Sequence, residues 1–325
     1  MTSDPDLKSL VSSLQSPVSG PISFSLYEKA VLDLTLIDAH VHLWKKQNGT
    51  VGGRPVRSLT GGRSDFGGEV RQMTPPYMVD GANTAEMLIS NMDYAGVSAA
   101  VVTQEVIDGN QNAYLRAVKT KYPDRIKIYS YFDDDTPPET EGFDGIKLCA
   151  GRMKHADLTR YAAVFEAAQK YGLFVGLELA DGDAQTASAR EMIRQFPDVR
   201  IAIGHFGMVT RPGWQEQIRL AREKNVYIES GGITWLFHKE FYPYPSAVRA
   251  IREAAEICGM EKLMWGSDYP RTMSEITYKM SFDFVLKSPE LTDGEKTAFL
   301  SGNAKGVFGF DRLHVCVPVK NMLED

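Results

Sequence analysis

The sequence predicts a single (β/α)8 barrel of the TIM type, and three observations carry that expectation. Runs of β-favouring apolar residues alternate with helical patterns through residues 34–310, which implies parallel strands joined by right-handed crossovers. Nearly every expected strand ends on a ligand-type or titratable residue, as the mouth of such a barrel requires. No glycine-rich phosphate fingerprint follows the first strand, which argues against an open dinucleotide-binding sheet.

Residues 1–33 are expected to form an N-terminal extension with two short helices, Leu7 to Leu14 and Ser25 to Leu34, divided by Pro17, Gly20 and Pro21. The stretch from Thr35 to Trp44 reads as the first strand. Strict alternation places Asp38, His40 and His42 on one face and Ala39, Val41 and Leu43 on the other. Residues 45–82 then read as a long irregular loop holding several glycine pairs and Arg54, Arg57, Arg63 and Arg71. A loop this long inside a compact domain is usually a functional lid or disordered, and leaving from the histidine end of the strand favours a lid.

Beyond it the alternation is regular. Helices are expected from Thr84 to Tyr94, Gln111 to Tyr122, Leu158 to Tyr171, Ala184 to Phe196, Trp214 to Lys224 and Ser246 to Cys258, most of them closed by Gly or Pro. Two more follow, Ile276 to Leu286 and Asp293 to Phe299. The strands between them are Val97 to Thr103, Ile126 to Phe132, Gly145 to Cys149, Leu173 to Leu179, Val199 to Ile203, Val226 to Ser230 and Lys262 to Gly266. The tail, 311–325, is extended from Leu313 to Val319 and is given no role.

Composition narrows the function classes. A hydrophobic share of 43% and a charged share of 24% suit a soluble globular enzyme. A net charge of −6 with no basic block argues against a nucleic-acid surface. Cys149, Cys258 and Cys316 are far apart and odd in number, which suggests a reducing compartment and no zinc ribbon. Neither a signal peptide nor a membrane-length apolar run is recognisable. The expectation is a cytoplasmic protein with a small-molecule substrate, no nucleic-acid or membrane partner, and room for a homodimer.

The chemistry-bearing residues stand at strand ends. Strand one offers His40 and His42; strand four carries Lys147; strand five ends at Glu178; strand six gives Gly204-His205-Phe206-Gly207. Strand seven ends Glu229-Ser230-Gly231-Gly232, and strand eight ends Trp265-Gly266-Ser267-Asp268-Tyr269-Pro270-Arg271. Two imidazoles on one strand face reach a single ion, and a polar face directly after an apolar run needs a metal or a hydrogen-bond network as partner. Each residue also has a plain structural role open to it. Asp268 suits a helix N-cap, His205 a turn, Glu178 a buried ion pair with Lys147 and Arg271 a surface salt bridge. His155, His238 and His314 read as ordinary polar residues.

In combination, Asp38-Ala39-His40-Val41-His42-Leu43-Trp44, Ile203-Gly204-His205-Phe206-Gly207 and Trp265-Gly266-Ser267-Asp268-Tyr269-Pro270 resemble the amidohydrolase superfamily, specifically its amidohydrolase-2 branch. Gly145-Ile146-Lys147-Leu148 and Gly302-Asn303-Ala304 fit the same branch, over about residues 34–310. Sequences of this kind include sugar-acid and dicarboxylate lactonases and non-oxidative decarboxylases. The resemblance implies His40, His42 and Asp268 as metal ligands, with Asp268 also shuttling a proton and His205 facing the substrate or helping to hold the metal. At strand five this chain has Glu178 where the family usually has histidine, and a carboxylate there still serves as a ligand to zinc or manganese.

The expected function is metal-dependent hydrolysis of a small sugar-acid or carboxylate lactone. One divalent ion, zinc first and manganese second, would sit on His40, His42, Glu178 and Asp268, with Asp268 and His205 catalytic. Arg271 would take a substrate carboxylate, Trp44 would stack on a ring, and Lys147 and His238 complete the candidate substrate-binding set. The alternatives are a decarboxylase on the same metal site and a non-catalytic barrel that binds small acids.

Overall fold

The computed structural model describes residues 35–317. The two helices expected within residues 1–34 and the end of the tail lie outside the described residues. Eight strands pair in parallel and in chain order. They are β1 (Leu36–His42), β6 (Val97–Thr103), β7 (Ile126–Tyr131), β8 (Gly145–Leu148), β9 (Phe174–Leu177), β10 (Ile201–Ile203), β11 (Val226–Glu229) and β12 (Leu263–Met264). The ring closes between β12 and β1: Ala39 N donates to Trp265 O and His42 N to Tyr269 O, at 2.9 and 2.8 Å. Asp268 N returns a bond to His40 O at 2.9 Å. The expected (β/α)8 barrel is therefore the observed one.

The helices between the strands are α1 (Ala85–Ala95), α2 (Asn112–Lys121), α3 (Ala162–Tyr171), α4 (Thr186–Gln195), α5 (Trp214–Leu220), α7 (Pro245–Cys258) and α8 (Met280–Leu286). A short α6 (Ile233–Leu236) was not expected from the sequence. The final helix also runs further than expected: α9 (Asp293–Thr297) passes through a π turn into α10 (Asn303–Phe308). None of the helices among the described residues is long and apolar enough to cross a membrane.

Two apolar clusters hold the barrel. The outer one lies between strands and helices, for example Leu36, Val97 and Val102 against Leu88 and Met92. The inner one fills the barrel's N-terminal end with Ile37, Ala39, Ala99, Val101, Tyr129, Phe174 and Met264, and α10 adds Val307 and Phe308 as a plug. Phe174 sits edge-on to Tyr129 and to Phe308, with centroids 4.8 and 4.9 Å apart. Each such buried ring is worth about 1.5–3 kcal/mol of transfer free energy. With that end packed solid, polar side chains inside the barrel are confined to the opposite mouth.

The segment expected as an irregular loop is folded. Within 45–82 the strands β2 (Thr50–Val51), β3 (Arg54–Ser58), β4 (Arg63–Phe66) and β5 (Val70–Gln72) form an antiparallel sheet in that order. The glycine pair Gly52-Gly53 joins β2 to β3 with φ of 56° and 75°. Two successive positive φ values are what a two-residue hairpin turn needs, so the pair marks a hairpin and not a flexible loop. The sheet is tied back to the barrel by a bridge between Trp44 and Asn83 and by Gln47. Gln47 accepts hydroxyl bonds from Ser58 and Ser64, at 3.2 and 2.8 Å, and donates to Asp108 at 3.2 Å.

Close packing at the floor gives a stability test. A Cβ on Gly145 would lie 2.2 Å from the Phe174 ring and 2.7 Å from its backbone carbonyl, whereas one on Gly306 meets nothing within 4 Å. Gly145→Ala is expected to cost about 1–3 kcal/mol by overpacking, and Gly306→Ala, on α10, to gain about 0.5–1 kcal/mol. Denaturant unfolding of both variants measures the difference, and equal midpoints would contradict the packing described.

Candidate active site

The strand that carries the histidines does not alternate strictly. Its pairing with β6 slips between Asp38 and Val41. Before the slip, Ile37 and Ala39 point into the inner cluster and Asp38 turns outward; after it, Val41 and Leu43 join the outer cluster. The expectation that Asp38 shares a face with His40 and His42 is thereby corrected: an irregularity of this kind inserts a step in the two-residue period. Asp38 instead accepts bonds from the hydroxyls of Ser267 and Tyr278 and from Ser267 N and His40 N. Burial lifts its carboxyl to about 7 against those four donors.

His40 and His42 project into the mouth with Nε2 atoms 3.0 Å apart. His40 Nδ1 is 2.6 Å from Glu229 Oε1, and His42 Nδ1 is 2.8 Å from Asp108 Oδ2. A carboxylate only accepts, so each Nδ1 carries a hydrogen and each ring turns its Nε2 towards the other. Asp268 Oδ1 joins them, 3.1 Å from His42 Nε2 and 3.8 Å from His40 Nε2. Trp235 Nε1 donates to the other oxygen of Asp268 at 2.8 Å, which fixes the carboxylate. Three buried ligand-type groups, each offering one atom and all within 4.8 Å of one another, match the donor set of a divalent metal site. Imidazoles backed by carboxylates on Nδ1 are the usual outer support of such a site.

Electrostatics point the same way. Burial lowers the His40 imidazole, which keeps it neutral against the pull of Glu229. Burial and Arg271 also depress His42, but Asp108 and Asp268 outweigh them and hold it at about 9. Asp268, despite burial, lies well below the usual carboxylate range because of His42 and Arg271.

A second group stands beside the first. Glu178 is outside the donor trio; its Oε2 is 3.5 Å from Lys147 Nζ and 3.9 Å from His205 Nε2, and its Oε1 is 3.9 Å from Arg152 Nε. Burial would raise Glu178, but Lys147, His205 and Arg152 hold it at about 2. His205 Nδ1 donates to Gly231 O at 2.8 Å. Its imidazole is raised by Glu178 and Asp268 in spite of burial. His205 and Asp268 both occupy left-handed backbone, at φ of 52° and 59°.

The other expected site residues are placed differently. Trp44 is buried, with Nε1 donating to Gly81 O at 2.9 Å and Arg271 above its ring, so it cannot stack on a substrate. His238 is exposed, bonds to Trp235 O, and lies away from the cleft. Lys147 is buried behind Glu178. Arg271 borders the cleft, but its guanidinium already meets Glu105, Asp108 and Asp268 at 2.7, 2.8 and 3.4 Å. Glu229, noted at the end of strand seven but given no role, completes the site together with Asp108, Glu105 and Arg152, which follow β6 and β8 and were not singled out from the sequence. Only Glu229 had a legible signal, its place at a strand end.

Above these groups lies a cleft of about 730 Å³, bordered by Glu105, Arg152, Glu178, His205, Trp235 and Asp268. Phe66, Arg71, Gln72 and Met73 of the folded excursion form part of its wall.

Comparison with known proteins gives a consistent picture. The family model described as amidohydrolase matches residues 37–310. The fold is similar to that of a probable 2-pyrone-4,6-dicarboxylic acid hydrolase from Acinetobacter baumannii with citric acid bound, at 20% identity and a TM-score of 0.63, covering 85% of this chain and 100% of that one. A putative 2-pyrone-4,6-dicarboxylic acid hydrolase from Pseudomonas putida is similar at 22% identity and a TM-score of 0.61, covering 86% and 99%. An amidohydrolase from Burkholderia multivorans with bound zinc is similar at 14% identity and a TM-score of 0.60, covering 85% and 99%. Among the curated proteins compared, none matches this sequence.

Because His42 titrates at about 9 without an ion, metal uptake at this site must displace its proton. Affinity for zinc is expected to rise roughly tenfold per pH unit up to that value and then level off. Calorimetric titration between neutral and alkaline pH checks this. His42→Ala is expected to lose the ion and the dependence together, with the barrel still folded.

Proposed function

The chain belongs to the amidohydrolase family, and from that premise we propose that it opens a small lactone bearing a carboxylate, with one divalent ion as cofactor. The observation that carries this reading is the convergence of His40 Nε2, His42 Nε2 and Asp268 Oδ1 beneath a cleft that contains an under-partnered arginine. The ion, zinc before manganese on a nitrogen–oxygen ligand set, would make hydroxide available near neutral pH and polarise the lactone carbonyl. Asp268, held ionised and fixed by Trp235, would accept a proton from the attacking water and return it to the leaving alkoxide. His205, bound to Gly231 O through Nδ1 with its Nε2 towards Glu178, would donate to the developing oxyanion.

Substrate recognition falls to Arg152. Its side chain is 40% exposed at the cleft, and its nearest acids, Glu105 and Glu178, are 3.8 and 3.9 Å away. Arg271, by contrast, already meets three carboxylates through its terminal nitrogens. The names of the two similar pyrone-dicarboxylate hydrolases, lactones with acid groups, support the same substrate class. The excursion that lends Phe66 and Arg71 to the wall is assigned the role of lid.

Arg152→Gln is expected to raise KM for carboxylated lactones about ten- to a hundredfold, the worth of one charge-assisted hydrogen bond, with little change in kcat. Steady-state kinetics on a panel of charged and uncharged lactones measures it. An equal penalty on uncharged lactones would remove the carboxylate from the assignment, and release of CO2 without ring opening would replace hydrolysis by decarboxylation. The lid role requires slower amide exchange in β3–β5 on addition of a carboxylated lactone analogue; unchanged exchange at saturation would exclude it.

A further inference from the structure

At the barrel end opposite the mouth, the tail crosses the start of β6. Cys316 Sγ lies 3.4 Å from Val97 O, and Asp93, in the last turn of α1, faces the same place. We propose that Asp93, His314 and Cys316 form a second divalent-metal site, of zinc type, that fastens the tail to the barrel.

Two independent features support it. One is the donor set: an imidazole, a thiol and a carboxylate each offer one ligand atom, all within 4.8 Å of one another. Ligands around one zinc ion stand about 3.3–3.8 Å apart, given bonds of about 2.0–2.3 Å. His314 Nε2 and Asp93 Oδ1 are already 4.0 Å apart, and both side chains are about half-exposed and free to adjust. Arg125 Nη2 donates to Asp93 Oδ1 at 2.8 Å, which orients the carboxylate. On binding, Cys316 gives its proton to solvent and the thiolate, carboxylate and imidazole occupy three positions, with water in the fourth.

The other feature is the placement of the tail. Leu313 packs against the inner cluster and Cys316 is part-buried against Val97 O, which holds the half-exposed His314 between them beside Asp93.

The test uses cobalt(II) as a zinc probe on the full chain, because thiolate ligation gives a near-ultraviolet charge-transfer band that histidine and carboxylate ligands do not. A His40→Ala/His42→Ala double variant silences the mouth site and separates this proposal from the proposed function. The band is expected in the wild type and in that double variant. Adding Cys316→Ser should abolish it, and adding His314→Ala should weaken cobalt affinity at least tenfold. Zinc content should fall from two ions to one per chain in Cys316→Ser alone. Absence of the band in the double variant, or its survival in Cys316→Ser, would overturn the assignment.

Discussion

Two imidazole nitrogens facing each other at 3.0 Å set the terms on which the mouth of this barrel is built. Each ring is turned so that Nδ1 reaches a buried carboxylate, Glu229 for His40 and Asp108 for His42. Lone pairs brought together in a low-dielectric interior repel unless a positive charge lies between them. The same constraint explains why four carboxylates (Glu105, Asp108, Glu229 and Asp268) tolerate burial here. They are shared among two histidines and Arg271, and no single partner neutralises them alone. Removing one member of such a network costs more than a pair contact, because it leaves a buried charge behind.

The backbone is bent to serve that arrangement. His205, Phe206, Met208 and Asp268 all have positive φ, in the turns that follow β10 and β12 on either side of β11. Non-glycine residues in this region cost of order 1–3 kcal/mol each and persist where packing over-determines them. Here the packed floor around Phe174 and Phe308 and the Asp38–Ser267–Tyr278 hydrogen bonds supply the rigidity. Asp38 thus joins β1 to the turn that carries Asp268, a structural task at the foot of the candidate site.

Much of this was legible in the sequence. Apolar runs and their Gly and Pro stops located all eight barrel strands, since burial on both faces of a parallel sheet leaves a strong signal in Val97 to Thr103 and its counterparts. His40, His42, His205 and Asp268 were legible because strand ends are the mouth. The slip within β1 was not, because it depends on how β1 pairs with β6 and leaves no mark on residue type. Nor were the hairpins of 45–82, where glycine pairs signal a loop or a tight turn equally well until strand pairing decides. Trp44 failed for a related reason: the direction in which it leaves β1 is set by its bridge to Asn83, a partner far along the chain. Asp108 and Arg152 sit in loops, where no periodicity points inward.

The link through Gln47 carries a consequence for divergence. One side-chain amide holds Ser58 and Ser64 of the excursion and, at its other end, the carboxylate that supports His42. A lineage that reshapes the excursion to admit a new molecule therefore also alters the basicity of the His42 imidazole. Choice of substrate and strength of the reactive centre are inherited as one trait, and new specificities should arise more readily at Arg152, which lies outside that linkage.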